Sequence, residues 1–169
     1  VYTLMTSAQL EGLKAKARKL ESVGIGYRLP DAEVAELIGL LESVDEFQEK
    51  GQVDLPDLAD EIRLDIDDLF PVLESLSVLG LAKVSEGDIA MTSDGKELLE
   101  ADITDKKILF AKHLIDHVPL ASHIVNELKT HHSGRVAKNF FLHELEGHFT
   151  EQEAQRVLDT LIDWARYAE

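Results

Sequence analysis

The stretch from Asp65 to Gly80 constrains the fold more than any other part of the chain. Ile66, Leu69, Phe70, Leu73, Leu76 and Leu79 recur at intervals of three and four, so a helix gathers them on one stripe while a strand would scatter them over both faces. Asp65 stands where an N-cap is needed, with Asp68 three residues on, and Gly80 stands where the helix must stop. Such a stripe must be buried against neighbours, and the flanking sequence supplies them. Asp54-Leu55-Pro56 opens a short helix ending near Ile62, because proline suits a first helical turn. After Gly80, Leu81-Ala82-Lys83-Val84 and Ile89-Ala90-Met91-Thr92 are short extended runs around the turn Glu86-Gly87-Asp88, which predicts a hairpin. With a preceding helix at 31–43 and a following one at 93–101, this is the element order of a winged helix, predicted as a first domain over 30–101.

Upstream, Ser7 can cap a helix with Leu10, Leu13, Ala17 and Leu20 on one stripe and Lys14, Lys16, Arg18 and Lys19 elsewhere. Val23-Gly24-Ile25-Gly26 breaks it, so 1–29 reads as a helix and linker, and a new helix starts at Arg28-Leu29-Pro30-Asp31. The polar stretch Asp45 to Gly51 is a predicted loop. From Thr104 onward the pattern is helical throughout: Ile108 to Val118, Pro119 to His131, Val136 to Phe149 and Thr150 to Ala168. Thr150 and Glu153 form a capping box ahead of Ala154, Val157, Leu158, Leu161, Ile162 and Ala165. These helices are expected to form a second, winged-helix-like domain over 102–169, lacking its wing and incomplete at its C-terminus. The predicted class is therefore mainly α with a small β-hairpin.

Charge narrows the partners. The 169 residues carry 33 acids against 17 lysines and arginines, a formal charge of -16 that repels phosphate backbones and anionic lipid surfaces. Between Asp54 and Ala82 the acids are Asp54, Asp57, Asp60, Glu61, Asp65, Asp67, Asp68 and Glu74, and Arg63 is the only base. Cysteine is absent, which is most compatible with the cytoplasm. No apolar run approaches the roughly 20 residues of a membrane helix; the richest, Leu69 to Ala82, is interrupted by Pro71 and Glu74. The chain opens at Val1 without an initiator methionine, so a fragment or processed chain is expected.

Catalytic constellations are not visible. A P-loop needs a glycine-rich turn followed by Lys and Ser/Thr, whereas the nearest approach, Gly87 to Gly95-Lys96-Glu97, has too long a spacing and ends in an acid. None of the serines stands in a Gly-x-Ser-x-Gly context. His113 and His117, four apart on one helical face, are the candidates for a metal, with His123 or Asp116 as a third ligand; without that third ligand they read as solvated surface histidines, and no metal or other cofactor is predicted. A winged helix commonly presents its second helix to DNA, but here that helix carries Asp65, Asp67, Asp68 and Glu74 and no cation, and the wing tip Glu86-Gly87-Asp88 is acidic too. A protein-contact face at Asp65, Asp68, Glu86, Gly87 and Asp88 is the better expectation. On the last helix Trp164, Arg166 and Tyr167 read as core packing with a partly buried ion pair, and alternatively as interface anchors.

Taken in order, several short motifs resemble a known family. They are Val1-Tyr2-Thr3-Leu4-Met5-Thr6, Ile38-Gly39-Leu40-Leu41-Glu42 after Leu29-Pro30, Asp67-Asp68-Leu69-Phe70-Pro71, Leu79-Gly80-Leu81-Ala82 and Glu86-Gly87-Asp88-Ile89 with Thr92 and Gly95. The second half adds Lys107-Ile108-Leu109-Phe110-Ala111, Val118-Pro119-Leu120, Phe141-Leu142-His143-Glu144-Leu145-Glu146 and Trp164-Ala165-Arg166-Tyr167-Ala168-Glu169. The chain resembles the AAA-associated C-terminal domain that follows the nucleotide-binding domain in ABC-transporter ATPase subunits of the nitrate/sulfonate/taurine class. The match covers nearly the whole chain except about residues 7–28, which look like a variable linker, and it departs at Ala165, where that pattern usually has glycine, and at Glu169, where the pattern is expected to continue into a strand. The resemblance implies a non-catalytic regulatory or assembly domain whose partner is the ATPase domain of the same polypeptide or subunit. It also implies a homodimer and contact with the membrane only through a transporter, at its cytoplasmic face, while the charge leads us to expect no nucleic acid. The alternatives are a winged-helix transcription or nucleic-acid-binding factor and a free-standing protein-interaction module.

With the phosphate cradle and the magnesium-binding hydroxyl both missing, the purified chain should show no magnesium-dependent ATP turnover in a coupled phosphate-release assay. Turnover that survives removal of contaminating ATPases would contradict this.

Overall fold

The computed structural model describes residues 24–169; the helix expected from Ser7 to Leu20 and the motif Val1 to Thr6 lie outside them. The first half runs α1 (Val34–Phe47), β1 (Val53–Asp54), α2 (Leu55–Ile62), α3 (Ile66–Val78), β2 (Ala82–Ser85), β3 (Asp88–Met91) and α4 (Ser93–Glu100). The second is wholly helical among the described residues: α5 (Ile103–His117), α6 (Pro119–Thr130), α7 (Lys138–Leu145) and α8 (Glu151–Ala168). The protein is thus mainly helical with a small antiparallel sheet.

The local chemistry explains the boundaries. The Asp65 carboxylate accepts the Asp67 amide at 3.0 Å and opens α3. At the other end Gly80 takes φ +71, its amide bonds the Ser77 carbonyl at 3.1 Å and the Leu81 amide bonds the Leu76 carbonyl at 2.9 Å. That pair of bonds is a Schellman closure, and it turns the chain directly into β2. The hairpin turn has positive φ at both Glu86 and Gly87, as two-residue turns of the I′ type require. Thr150 and Glu153 form the expected capping box on α8, each side chain bonding the other's backbone amide.

Four expectations need correction. The sheet has three strands in the order β1-β3-β2, because Val53 and Asp54 pair with Ile89 and Asp88. Two residues are too short to show an alternating pattern, so only the partner strand reveals this one. The helix before the sheet starts at Val34, not at Asp31, with Glu33 and Glu36 as its capping box, and it continues past Asp45 to Phe47 because Val44 and Phe47 extend its apolar stripe onto the core. Next, α5 starts at Ile103, five residues before Ile108, because the Asp102 carboxylate accepts the amides of Thr104 and Asp105, both at 2.9 Å. Finally, α7 is the short helix Lys138–Leu145 and does not fill Val136 to Phe149.

One hydrophobic cluster runs through both halves. Leu37, Leu41, Leu55, Leu58, Leu73 and Leu76 form it in the first, and Phe110, Leu145, Leu158 and Trp164 continue it in the second. Trp164 is fully buried, meets Phe110 edge to face at 6.4 Å, and donates its indole N–H to the Ala32 carbonyl at 2.8 Å. The last helix is thereby tied to the segment that precedes α1.

The backbone of α4 passes close to the start of the hairpin. A Cβ at Gly95 would lie 2.1 Å from the Leu81 carbonyl oxygen, a backbone atom that cannot swing away. Gly95→Ala should therefore lower stability by about 1–3 kcal/mol through overpacking, although alanine alone would favour a helix by about 1 kcal/mol. Urea unfolding followed by circular dichroism measures this, and an unchanged or raised midpoint would contradict the close approach.

Candidate functional site

The surface around the start of α3 is built by capping. Asp54 caps α2 by accepting the Asp57 amide at 3.1 Å, and Asp65 caps α3 in the same manner. Asp65, Asp67 and Asp68 are all exposed, and they satisfy or neighbour the free amides of a helix N-terminus, the position at which a DNA phosphate would otherwise bind. The hairpin is bound back to the body by the pairing of β1 with β3 and by two further contacts. The Leu55 amide donates to the Gly87 carbonyl at 2.8 Å, and the Gln52 amide nitrogen donates to Asp88 at 2.6 Å. Glu86 remains exposed at the tip. Asp65 and Asp68 thus lie at the start of α3, and Glu86, Gly87 and Asp88 at the turn of the β2–β3 hairpin, both of them acidic.

The remaining candidates separate. Trp164 belongs to the core and offers no surface for a partner. The expected partly buried ion pair is instead an exposed one, Arg166 to Asp163 at 3.3 Å with both side chains more than two-thirds accessible. Tyr167 lies half-buried with its ring edge on Phe110 at 5.2 Å.

His113 is not a solvated surface histidine. It is 7 % exposed, and its Nδ1 donates to the Leu79 carbonyl at 3.0 Å, the terminal carbonyl of α3. His117 is exposed, stacks on His113 with ring centroids 5.5 Å apart and packs against Gly80. The two rings therefore brace the joint between α3 and α5. His123 bonds Glu144 at 2.8 Å, and among the described residues no group of three potential ligands comes together.

A feature not anticipated from the sequence is a cleft of about 1080 Å³ between the segment 24–31, the start of α3 and the α7–α8 corner. Phe70, Pro71 and Phe149 supply apolar wall, and Arg156, Asp67 and Glu74 supply charge. Glu74 is 9 % exposed and accepts a hydrogen bond from the Tyr27 hydroxyl at 2.5 Å. The sequence held one signal of this, an acid lodged within the apolar run of α3, but its partner lies 47 residues away.

Fold and surface together define a mainly helical domain with a small antiparallel sheet and acidic helix starts. The chain belongs to the family of the C-terminal AAA-associated domain, which matches residues 56–169. No curated protein and no solved structure matches it. Among the described residues, no helix is long and apolar enough to cross a membrane.

Burial, then the hydrogen bond to Glu74 and its charge, push the Tyr27 phenol far above its ordinary value of 10.0. A proton held more tightly in the folded chain contributes stability that is complete below about pH 10 and is lost as pH rises beyond it. Burial raises Tyr167 as well, against the opposing charge of Lys107. Urea midpoints should therefore fall between pH 8 and pH 11, and Tyr27→Phe should fall by a smaller amount over the same interval. An equal loss in both proteins would contradict the assignment.

Proposed function

We propose that this chain is the regulatory or assembly domain of an ABC importer ATPase subunit for nitrate, sulfonate or a similar anion. The observation that carries the reading is membership of the C-terminal AAA-associated domain family. The motifs from Asp67-Asp68-Leu69-Phe70-Pro71 to Trp164-Ala165-Arg166-Tyr167 support the importer class by resemblance. On this reading its partner is the ATPase domain of the same polypeptide or subunit, at the cytoplasmic face of the membrane, and the domains pair as the ATPases pair, with two-fold symmetry. The acidic start of α3 and the wing serve as a protein-contact face.

The parentage is tested by the gene sequence preceding Val1. A P-loop and an ABC signature are expected there; a start codon immediately ahead of Val1 would instead support a free-standing module.

The winged order of elements favours one competing reading, a duplex-binding factor. Such a protein, making about 6–10 phosphate contacts, needs a comparable number of placed cations, because counterion release supplies much of its affinity. Here α3 carries none, and Asp65, Asp67 and Asp68 meet phosphate with like charge, least screened at low salt. Titration of a labelled duplex at low and moderate salt should show no sub-micromolar binding. The Asp65→Asn, Asp67→Asn, Asp68→Asn variant, which keeps an asparagine cap at position 65, should gain little. Sub-micromolar affinity with a steep salt slope would overturn the accessory-domain reading.

A further inference from the structure

The segment leading into α1 is held in two different ways along its length. Its inner half is anchored by burial: Leu29, Pro30 and Ala32 are buried, and the Ala32 carbonyl accepts the Trp164 indole N–H. Its outer half, residues 24–28, has no fully buried residue and belongs to no helix or strand. Ile25 and the Tyr27 ring pack, partly buried, against the core, and among the described residues three further contacts hold that half down. The Tyr27 hydroxyl donates to Glu74 on α3. Arg28 pairs with Glu153 on α8 at 3.3 Å, an exposed ion pair that contributes little. Gly26 lies so close to His148 that a Cβ there would sit 2.8 Å from the ring Nδ1.

These residues also form one wall of the cleft, whose opposite walls come from α3 and α8. The Tyr27–Glu74 hydrogen bond and the partly buried Ile25 and Tyr27 side chains thus hold a segment without secondary structure over a recess of mixed apolar and charged lining, while full burial fixes the end next to α1. We propose that residues 24–28 are a releasable strap, with the Tyr27–Glu74 hydrogen bond as its catch and the junction at Arg28-Leu29 as its hinge. Release uncovers Phe70 and Phe149 and leaves Trp164 in place. The device depends on this chain's own contacts and stands whether or not the parent is an importer.

The test uses the full chain. Tyr27→Phe keeps the ring and removes the donor. Hydrogen exchange read by mass spectrometry should rise about tenfold or more in a peptide covering residues 24–28, the scale expected for losing a hydrogen bond to a charged group. An apolar fluorescent dye should bind more strongly, while the fluorescence of Trp164, the only tryptophan, should not change. A second variant locks the strap. A Cβ at Gly26 would lie 3.3 Å from the His148 Cβ, near the ~3.5–4.5 Å a disulfide spans, and the chain has no cysteine to compete. Gly26→Cys with His148→Cys should oxidise readily, suppress both exchange and dye binding, and recover both on reduction. Three outcomes would overturn the proposal: unchanged exchange over 24–28 in Tyr27→Phe, a uniform rise across the protein accompanied by a Trp164 shift, or failure of the cysteine pair to oxidise.

Discussion

The hydrogen bond from the Trp164 indole to the Ala32 carbonyl closes the molecule, spanning 132 positions of sequence between the last helix and the residues ahead of the first. An indole buried without a partner would cost about 1–3 kcal/mol for its bare N–H, so the side chain can lie in the core only where a carbonyl meets it. Ala32 supplies that carbonyl before α1 begins, where the backbone is not yet committed to helical bonding. Phe110 then packs against Trp164 and Tyr167 together, bringing α5 and α8 into one core with α1. This closure holds the residues just ahead of α1 against α8.

Part of the chain's acidity is a solution to helix capping. Asp54, Asp65, Asp102 and Glu33 each stand at a helix start, and the first three accept backbone amides that would otherwise lack intrahelical partners. Charge placed there also interacts favourably with the helix dipole, so the same residues that stabilise the helices give the helix starts a surface hostile to phosphate. The N-terminus of α3, which could otherwise hold an anion, is already occupied by its own cap.

Glu74 and His113 show how burial is tolerated for polar side chains on the two faces of one joint. Glu74 lies on the side of α3 that meets the strap and takes the Tyr27 hydroxyl; His113 reaches from α5 to the carbonyl at the end of the same helix. Among the described residues no buried side-chain nitrogen or oxygen is left without a partner. α3 is therefore tied by side-chain hydrogen bonds to the strap at its middle and to the second half at its end. A change at either contact is felt by a single rigid element.

Much of the architecture was legible in the residues because it rests on local rules. The stripe of α3, its Asp65 cap and Gly80 stop, the hairpin around Glu86-Gly87 and the Thr150–Glu153 box each depend on residues within a few positions of one another. The same locality made the acidic face legible, since the exposure of a cap follows from its place at a helix start. The third strand, the early start of α5, the burial of His113, the coreward position of Trp164 and the Tyr27–Glu74 pair were not legible in that way. Each depends on a partner distant in the chain, or on which side of a helix its neighbours cover, and helical periodicity leaves that choice open for a polar residue. The sequence by itself determined the helices, the turn and the sign of the surface charge, because these follow from short-range propensity and composition. Only the tertiary structure decided which histidine is buried, which aromatic side chain closes the core and where the cleft lies, because those are set by long-range packing that no local pattern encodes.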